Sequence, residues 1–500
     1  MNATTAIAPQ RPALSAASAG FLQRPKQLLI NNRWTDAQSG ARIPVENPAL
    51  GEVIVEVAAA GAADVELAVA AARTAFKRWS TQQPSMRARL LFKLADLLER
   101  HAGEFAELES LDVGKPLMIT RMLDVPFTVD AIRYNAGWAT KLTGETFDLA
   151  CAPTPFQAFS LRQPVGVVAG IVPWNFPLLQ MAMKVSAALA AGCVIVLKPS
   201  ELTPLSALRL GELALEAGFP PGVLQILTGL GSEAGAALVR HPGVDKISFT
   251  GSTAVGRDIV RSCAEDFKRV TVELGGKSPN IIFADADLEQ AIAGSAAAAF
   301  FNAGQVCYAG TRLYVQDSVY DTVVAGLAEA MANYVIGDPF DAETQLGPLV
   351  SARQRERVEG YVDEGVRAGA EIVAGGRRVD RQGYFVEPTL LAKTDPAMRV
   401  IQEEIFGPVV CVVPFKNFAD VVAQANGTRY GLAAGVWSRD VKNAHRAARA
   451  IHAGTVWVNC YHVVDPNMPF GGWRESGWGR EFGRAGVESF TELKSVALKL

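Results

Sequence analysis

The sequence lacks long apolar runs, a large excess of either charge and any clustered set of metal-binding side chains. No stretch approaches the roughly 20 consecutive apolar residues that cross a bilayer, which argues against a membrane partner. The formal net charge of the 500 residues is −3, whereas nucleic-acid-binding surfaces normally carry a clustered basic excess. The six cysteines form neither a metal-ligand spacing nor a dense disulfide framework. Composition therefore predicts a globular protein without a metal, a nucleic-acid partner or a membrane span.

The cysteine usage favours a reducing compartment, so we expect a cytoplasmic protein with mostly buried thiols. The cysteines lie at positions 151, 193, 263, 307, 411 and 460. Residues 1–25 contain Arg11 and Arg24 but no acid, which resembles a transit peptide weakly. No apolar core follows a basic start, so a secretory signal is not expected. We interpret residues 1–25 as a short disordered or helical N-terminal extension.

Strand-like and helical segments alternate regularly from residue 165 onward. The chain exceeds the size at which a single core stops growing, so two or three structural units are expected. The run at 165–172 is continuously apolar, which is typical of a strand covered on both faces. Such alternation predicts a parallel, doubly wound sheet that binds ligands at the carboxyl ends of its strands. Its further strands are predicted at 193–198, 223–227, 246–250 and 269–274.

Several helix ends can be predicted from single residues. Asp64 is placed to start a helix in the first part of the chain. Pro177 is expected to open a helix at its first position, where proline is favoured. Thr203 and Pro204 are expected to cap and begin the next helix, which should end near Gly218.

A second α/β unit is predicted from about 276 to 475. Its strands are expected at 281–283, 312–315, 407–415 and 455–459. The first unit then consists of residues 26–141 and 165–275. The remaining segments, 142–164 and 488–500, alternate polar and apolar residues, which is typical of surface strands.

Four short motifs supply an amide donor, a pair suited to a ribose, a carboxylate base and a thiol. They are WNFP at 174–177, KPSE at 198–201, ELGGK at 273–277 and FNAGQVC at 301–307. A thiolate such as that of Cys307 is the strongest side-chain nucleophile near neutral pH and adds readily to aldehyde carbonyls. Glu273 ends a predicted strand, and a carboxylate there can activate water if burial raises its pKa. Gly275 and Gly276 then allow close approach of a cofactor or substrate.

The order and context of these motifs resemble the NAD(P)-dependent aldehyde dehydrogenase superfamily, from about residue 28 to the end. The resemblance implies an α/β fold with a Rossmann-type doubly wound cofactor domain, a second α/β catalytic domain and a small oligomerisation β-hairpin. It implies that 142–164 and 488–500 join subunits of a homo-oligomer, a tetramer being favoured over a dimer. It also implies oxidation of an aldehyde to the acid through a thiohemiacetal and a thioester on Cys307.

The resemblance assigns roles to three further side chains. The Asn175 amide and the backbone N–H of Cys307 would stabilise the tetrahedral alkoxide. Glu273 would activate the water that hydrolyses the thioester, and relatives that pass the acyl group to coenzyme A usually lack this residue. Lys184 would either assist proton transfer or be a charge on the helix surface. Val306 stands where many relatives carry a second cysteine, so no vicinal disulfide can form with Cys307.

Cofactor binding is expected at other strand ends. Lys198 and Glu201 can hold the adenosine ribose hydroxyls, and Glu201 would repel the extra phosphate of NADP. NAD is therefore favoured, with NADP as a weaker alternative. The loop from Gly251 to Gly256 is not a GxGxxG fingerprint, but it places backbone amides at a helix start, where the dipole favours pyrophosphate. The other contacts implied by the resemblance are Ile171, Pro173, Trp174, Ser200, Gly231, Phe249, Ser252, Leu274, Glu404 and Phe406.

The substrate pocket is expected after WNFP, around Cys307 and in the loop at 459–472. Its candidate residues are Phe176, Met181, Met183, Tyr308, Val464 and Phe470, with His462 and Asp465 as polar intruders. An apolar, partly aromatic lining suits a hydrophobic aldehyde and offers no anionic cage for a cationic one. Stretches at 133–149, 165–178 and 458–472 are most similar to the phenylacetaldehyde-oxidising members. An arylacetaldehyde is therefore expected, with betaine aldehyde and broad aliphatic aldehydes as alternatives.

Two other classes of function are compatible with parts of the pattern. An esterase could work through Cys307 and Glu273 alone, but the cofactor positions would then have no role. A structural protein that had borrowed the fold would tolerate the loss of either residue, and both are present. The sequence favours the dehydrogenase.

Overall fold

The computed structural model describes residues 13–150, 152 and 154–500. Its helices are α1 (Ala16–Gln23), α2 (Ala62–Trp79), α3 (Pro84–Arg100), α4 (Ala102–Val113), α5 (Leu117–Ile119), α6 (Val125–Trp138), α7 (Pro177–Ala191), α8 (Leu205–Ala217), α9 (Ala236–Arg240), α10 (Thr253–Glu265), α11 (Leu288–Phe300), α12 (Tyr320–Ala332), α13 (Ala352–Arg367), α14 (Arg399–Gln402), α15 (Phe418–Ala425), α16 (Val441–Ala450) and α17 (Gly483–Glu488). Short π-helical turns occur at Thr120–Asp124 and Gly231–Gly235, and short 3₁₀ turns at Phe301–Gly304, Asp317–Val319 and Arg474–Ser476.

The strands form four sheets. They are β1 (Leu28–Ile30), β2 (Arg33–Thr35), β3 (Arg42–Asn47), β4 (Glu52–Ala58), β5 (Thr146–Phe147), β6 (Phe156–Pro164), β7 (Val167–Ile171), β8 (Val194–Lys198), β9 (Leu224–Ile226), β10 (Lys246–Thr250), β11 (Arg269–Glu273), β12 (Pro279–Ile282), β13 (Arg312–Gln316), β14 (Glu371–Ala374), β15 (Thr389–Ala392), β16 (Val409–Phe415), β17 (Ala433–Trp437), β18 (Thr455–Val458), β19 (Gly477–Trp478) and β20 (Thr491–Lys499). The smallest sheet pairs β3 with β4.

The first large sheet has the strand order β19-β11-β10-β7-β8-β9-β1-β2. The five central strands run parallel, and β7, β8 and β10 are buried along their whole length because helices cover both faces. The expected doubly wound parallel sheet is confirmed at its centre. Its two margins differ from that expectation, since β1, β2 and β19 pair antiparallel.

The winding of the first sheet reverses at β7. From β7 the chain adds β8 and β9 on one side, and then returns to add β10 and β11 on the other side. A reversal of this kind leaves a crevice beyond the carboxyl ends of the two adjacent strands, here β7 and β10. The residues that follow β7 begin with Val172 and include the WNFP motif, and Gly251 follows β10. The topology therefore brings these two loops together.

The second large sheet has the order β14-β15-β16-β13-β12-β17-β18. It is parallel from β15 to β18, and β14 pairs antiparallel at one margin. Its apolar residues form a core separate from that of the first sheet. Two α/β units of this kind are what the alternation of strands and helices predicted.

A third sheet is formed by β5, β6 and β20, in the order β20-β6-β5. β20 pairs antiparallel with β6 over nine residues, from Thr491 opposite Pro164 to Lys499 opposite Phe156. Most of the β20 side chains are exposed, including Leu493 and Leu498. Within the described chain β20 is thus a long marginal strand with one side unpaired.

The helix ends support some of the local expectations and correct others. α7 begins at Pro177, and α8 ends before Gly218, whose φ is 92°, both as predicted. α2 begins two residues before Asp64, whose carboxylate accepts from the Gly61 N–H at 2.9 Å within the first turn. The prediction that Thr203 caps α8 is wrong, because the Thr203 hydroxyl has no partner in the described structure.

The N-terminal extension is partly described. Residues 1–12 lie outside the described residues, whereas Ala16–Gln23 form the helix α1. The Ser15 hydroxyl donates to Glu107 at 2.7 Å, and Phe21 is buried in the core of the first unit. Over the described part of the chain, no helix combines the length and apolarity needed to span a bilayer, and no three His, Cys, Asp or Glu side chains cluster as metal ligands would.

Candidate active site

Cys307 lies in a tightly built loop that follows α11. The turn at Phe301–Gly304 contains three successive residues with positive φ, namely Asn302 at 51°, Ala303 at 53° and Gly304 at 68°. A Cβ at Gly304 would collide with the carbonyl of Gly407, so the turn requires glycine there. This strained path carries the backbone from the end of α11 to the cysteine.

The WNFP loop and the cysteine loop are fastened to each other by side-chain amides. The Asn175 amide donates to the Gln305 carbonyl at 2.9 Å, and the Asn302 amide donates to the Asn175 carbonyl at 3.2 Å. The Gln305 side chain in turn accepts from the Val350 N–H at 2.9 Å. These buried contacts fix Asn175 beside the residues that precede Cys307. The motifs had led us to expect Asn175 and Cys307 in one site.

Cys307 is shared by two cavities. One, called here the apolar cavity, has a volume of about 310 Å³. The other, called here the polar crevice, has a volume of about 180 Å³. A larger hollow of about 440 Å³ lies at the surface between α1 and α8, and contains no residue of the four motifs. The functional site is therefore the pair of smaller cavities that meet at the sulfur.

The Cys307 thiol is desolvated in this position. Burial raises its pKa, and the carboxyls of Glu404 and Glu273 raise it further. The sulfur is therefore a neutral thiol in the ligand-free protein and needs a nearby group that can take its proton.

The polar crevice extends beyond the carboxyl ends of β7, β10 and β11. Besides Cys307, it is lined by Pro173, Trp174, Asn175, Gln180, Thr250, Gly251, Ser252, Glu273, Leu274, Gly275, Gln354, Arg357, Glu404 and Phe406. Most of these residues were expected from the motifs. Gln354 and Arg357 were not, since α13 carries no motif that the sequence reading had singled out.

Glu404 and Phe406 are held at the inner wall of the crevice. The Glu404 carboxylate accepts from the Gly276 N–H at 3.1 Å, and burial raises its pKa to about 7. The Gln354 amide donates to the Phe406 carbonyl at 2.7 Å, and Arg357 donates to the Glu404 carbonyl at 2.7 Å. Phe406 has a φ of 63°, and its ring meets the Trp174 ring edge-on at 5.1 Å.

A Lys–Glu pair lies at the end of β8. Lys198 Nζ donates to the Glu201 carboxylate at 2.8 Å, and a Cβ at Gly231 would lie 4.0 Å from that nitrogen. Burial lowers the pKa of Lys198. Burial opposes ionisation of Glu201 too, but the charge and hydrogen bond of Lys198, with backbone donors, leave the Glu201 pKa below its ordinary value. Ile171, Ser200 and Phe249 are buried at the neighbouring strand ends.

The start of α10 supplies backbone donors to the crevice. The Ser252 hydroxyl accepts from the Val255 N–H at 3.4 Å and caps the 13-residue helix. A Cβ at Gly256 would collide with Leu274, so glycine lets the first turn of α10 pack against the strand end that carries Glu273. The free N–H groups of such a turn, together with the helix dipole, suit an anionic group such as a pyrophosphate.

Glu273 ends β11 and faces the crevice with its carboxyl group buried. Neither carboxyl oxygen has a hydrogen-bond partner within the described residues. Burial raises its pKa well above the ordinary value, and the charge of Glu481 raises it further, whereas Lys184 and Arg480 act in the opposite direction. Burying a carboxyl group without hydrogen-bond partners costs free energy, and such groups with a shifted pKa cluster at functional sites.

Lys184 is 2% exposed and forms an ion pair with Glu481, so the alternative of a helix-surface charge is wrong. Its ammonium also donates to the Ser248 hydroxyl at 3.2 Å. Glu481 was missed by the sequence reading, since it lies 297 residues from Lys184 in the chain. No local sequence pattern predicts this ion pair, and only the folded chain brings its charges close enough to affect the pKa of Glu273.

The apolar cavity contains most of the expected pocket residues. Its lining consists of Leu123, Asp124, Phe127, Phe176, Leu179, Gln180, Met183, Phe301, Cys307, Tyr308, His462, Val464, Phe470 and Phe482. Met181 does not line it and was wrongly expected there, because its side chain faces the core of the first unit and is fully buried. Asp465 is also absent from the lining, and its carboxylate accepts from the Asn467 N–H at 2.8 Å, as a loop cap would.

His462 is a neutral part of the cavity wall. Its Nε2 lies 2.9 Å from the Ala297 carbonyl, which identifies this nitrogen as the protonated one. Burial lowers its pKa. The imidazole packs against the rings of Phe301, Tyr308 and Tyr461 at 5.1, 5.5 and 5.1 Å. The ring is therefore an apolar, aromatic element of the wall rather than a charged one.

The polar crevice and the apolar cavity meet at one sulfur. This arrangement defines a class of enzyme, an oxidoreductase that brings a cofactor and a small organic substrate together. The chain belongs to the aldehyde dehydrogenase family, whose pattern matches residues 34–496. The expected family is thereby confirmed. The cofactor is NAD, as expected, and the enzyme oxidises aldehydes.

Three similar proteins illustrate the family match. A phenylacetaldehyde dehydrogenase of Pseudomonas fluorescens is 47% identical over 484 residues, covering 95% of this chain and 96% of the relative. The mitochondrial aldehyde dehydrogenase of Homo sapiens is 45% identical over 502 residues, covering 98% of this chain and 96% of that one. The solved NAD+ complex of an aldehyde dehydrogenase from Bacillus cereus has a TM-score of 0.96 at 45% identity, covering 98% of this chain and 100% of that one.

Proposed function

We propose that this enzyme oxidises a hydrophobic aldehyde, with an arylacetaldehyde such as phenylacetaldehyde as the favoured substrate, to the carboxylic acid. The observation that carries the proposal is the apolar cavity, which ends at Cys307 and is walled by the rings of Phe176, Tyr308 and Phe470. Its volume of about 310 Å³ is at the lower end of small-molecule pockets, roughly 300 Å³ and upwards. Such a cavity suits a compact aromatic body with a short side chain.

The proposed first step is attack by Cys307 on the aldehyde carbon. Its thiol proton must leave, and Glu273, in the same crevice and with a raised pKa, is suited to receive it. The Asn175 amide uses one N–H on the Gln305 carbonyl, so its second N–H is free to donate to the developing alkoxide. The Cys307 backbone N–H is the second proposed donor. The product of the step is a thiohemiacetal on Cys307.

The cofactor residues fit NAD on grounds of their own geometry. Lys198 and Glu201 offer a donor and an acceptor for ribose hydroxyls, and the first turn of α10 offers backbone amides for the pyrophosphate. Glu404 and Phe406 would hold the nicotinamide end beside Cys307. Bound NAD supplies the hydride acceptor that converts the thiohemiacetal into a thioester.

In the second proposed step Glu273 first releases the thiol proton to solvent and then takes a proton from water. The resulting hydroxide adds to the acyl carbon, and the C–S bond breaks to give the carboxylic acid and free Cys307. A carboxyl with a raised pKa is a stronger base than an ordinary glutamate, so burial serves this step directly. The charges of Lys184 and Glu481 act on that pKa in opposite directions. We assign this ion pair the role of setting the protonation state of Glu273, which replaces the open choice for Lys184 made from the sequence.

Rival aldehydes fit the cavity less well. A cationic substrate such as betaine aldehyde would need a net negative charge in the cavity wall, but the Asp124 carboxylate is neutralised by its ion pair with Lys115. A long aliphatic chain would gain little from the aromatic rings beyond its area of contact. Both remain as comparison substrates in the test.

The test is a parallel measurement of NADH formation on phenylacetaldehyde, betaine aldehyde and a long aliphatic aldehyde. We expect kcat/KM to be highest for phenylacetaldehyde, and Cys307→Ala to abolish turnover of all three while NAD still binds. A higher kcat/KM for either rival would overturn the substrate assignment. Normal turnover by Cys307→Ala would remove the cysteine as nucleophile.

We also infer a homo-oligomer, with a tetramer favoured over a dimer. The supporting observation is the unpaired side of β20, where Leu493 and Leu498 are 60% and 46% exposed. A long strand with free backbone groups and exposed apolar side chains is stabilised when a second chain covers it.

A further inference from the structure

The apolar cavity contains one ionised pair in its wall. Asp124 ends the π-helical turn at Thr120–Asp124, lines the cavity and forms an ion pair with the buried Lys115 through Oδ2. The Lys115 ammonium also lies 3.7 Å from the centre of the Phe176 ring. The Asp124 oxygen Oδ1 has no hydrogen-bond partner within the described residues. An acceptor without a donor is therefore left in a mainly apolar cavity, whose wall also holds two acceptors that are unpaired within the described residues, Gln180 Oε1 and His462 Nδ1.

A potential hydrogen-bond donor in the same cavity is also without a partner in the described part of the chain. The Tyr308 hydroxyl makes no hydrogen bond within the described part of the chain, although the residue lines the cavity next to Cys307. The ring is fixed by edge contacts with Trp457 at 5.4 Å and Phe470 at 5.7 Å. Burial raises the pKa of Tyr308, and the charge of Asp124 contributes to that rise, so the two groups are near each other without being bonded.

These two groups complement a hydroxyl. A hydroxyl donates one hydrogen bond and accepts others, so it can donate to Asp124 Oδ1 and accept from the Tyr308 O–H. A bond to an ionised acceptor is roughly twice as strong as a neutral one. An ammonium group is a poorer match, because Lys115 already neutralises the carboxylate. A bound group without polar atoms would shield both from water and leave them unpaired, which costs free energy.

We propose that Asp124 and Tyr308 form a subsite for the hydroxyl group of a hydroxylated aldehyde, bound at the part of the molecule remote from its carbonyl. The inference rests on the proposed function, because it takes the apolar cavity to be the aldehyde site. It narrows the substrate class to aldehydes that carry a hydroxyl on an apolar body, such as a ring-hydroxylated arylacetaldehyde.

The experiment compares pairs of aldehydes that differ by one hydroxyl. The pairs are phenylacetaldehyde with 4-hydroxyphenylacetaldehyde and hexanal with 6-hydroxyhexanal, and the readout is the ratio of kcat/KM within each pair. In the wild type we expect the hydroxylated member of at least one pair to be favoured by about tenfold, the usual worth of a hydrogen bond to a charged group. In Tyr308→Phe and Asp124→Asn the ratio should fall toward one.

Matched substitutions control for general effects. Asp130→Asn changes an exposed aspartate of α6, and Tyr320→Phe changes a tyrosine at the start of α12, outside the cavity. Both should keep the wild-type ratio. Because Asp124→Asn leaves the Lys115 ammonium buried without its partner, a Lys115→Met/Asp124→Leu double variant removes the pair together. This variant should also lose the preference.

A measurement on the wild type alone covers the case of variants that do not fold. The cresol 4-methylphenol and toluene differ by one hydroxyl, and we expect the cresol to inhibit aldehyde oxidation about tenfold more tightly. Equal inhibition by both, or hydroxyl ratios near one in both aldehyde pairs, would overturn the subsite. If the arylacetaldehyde assignment fails, kcat/KM will be low for both aromatic aldehydes. The ratio of kcat/KM for 6-hydroxyhexanal and hexanal still measures the preference for the hydroxyl in that case.

Discussion

At the scale of single residues, the active site places carboxyl groups where water cannot solvate them. Burial raises the pKa of both Glu273 and Glu404, and each is expected to meet a cofactor or substrate. The motif ELGGK was enough to predict Glu273 from the sequence. Glu481, Gln354 and Asp124 could not be predicted in this way, because each reaches the site only through contacts between distant segments.

The role of Glu273 as base can be tested by Glu273→Gln. The base must be deprotonated, so steady-state turnover should fall as the pH drops through the raised pKa of Glu273, at a higher pH than an ordinary glutamate would give. The variant should form its first NADH per site more slowly, because Glu273 also takes the thiol proton, and then stall as the thioester, with a steady-state rate about 100-fold or more below the wild type. A pre-steady-state burst followed by undiminished turnover would contradict the assignment.

The close approach of the Glu404 carboxylate to the ELGGK loop depends on a glycine at position 275. A Cβ at Gly275 would collide with the Glu404 carboxylate. We therefore expect Gly275→Ala to displace Glu404 and raise the KM for NAD about tenfold or more, whereas Gly360→Ala in α13, where a Cβ meets nothing within 4 Å, should leave it unchanged. Initial rates at varied NAD provide the measurement. The same KM in both variants would show that the collision is relieved elsewhere.

At the scale of elements, α4 supplies carboxyl groups that accept hydrogen bonds from the first turns of α7 and α8. Glu109 accepts from the Leu178 N–H of α7 at 3.2 Å, and Asp112 accepts from the Leu205 N–H of α8 at 3.1 Å. The capping residues thus come from a distant helix rather than from Thr203. Local propensity predicted where α7 and α8 begin but not which residue caps α8, since the buried Asp112 carboxyl accepts from the Leu205 N–H in place of a local hydroxyl.

The buried cap has a predictable pH dependence. Burial raises the pKa of Glu109 from about 4.5 in an exposed glutamate to about 8, so its contribution to stability is full below about 4.5 and is lost progressively as the pH rises through 8. In Glu109→Gln the thermal midpoint should therefore fall less between pH 5 and pH 8 than in the wild type, by about 2 °C or more. Scanning fluorimetry provides the midpoints.

The matched control for this prediction is Glu216→Gln, at an exposed position of α8. It should reproduce the wild-type dependence on pH. If the Glu109 variant also follows the wild-type curve, the folded-state pKa of Glu109 is not raised. Buried carboxyls distant from Glu109 contribute equally to all three curves, so the differences report on Glu109 together with Asp112, whose pKa the charge of Glu109 raises.

At the scale of the whole molecule, the order of strands and helices in the sequence was sufficient to predict two α/β units. The parallel centre of each sheet follows from repeated strand–helix–strand connections. The antiparallel margins could not be predicted, because β1 and β19 join the sheet through long-range pairing with β9 and β11. The marginal strand β20 was recognisable from its alternating residues.

The unpaired side of β20 leads to a prediction about assembly. Replacing its exposed leucines in Leu493→Glu/Leu498→Glu should lower the molar mass in solution, because charges on a marginal strand oppose pairing with a second chain. Val53→Glu in β4 makes the same change at another exposed apolar residue and should leave the mass unchanged. Light scattering coupled to size exclusion measures the mass. A wild-type monomer would refute the oligomer, and an unaltered mass in the double variant would place the interface elsewhere.

The short strand β19 pairs with β11, so that Gly477 lies opposite Glu273, and Glu481 follows it a few residues later. A polypeptide that stopped before these residues would possess all four motifs and the reactive sulfur, yet would lack the segment that shields and tunes its base. We therefore expect a chain cut before Gly477 to lose turnover although it retains Cys307 and Glu273.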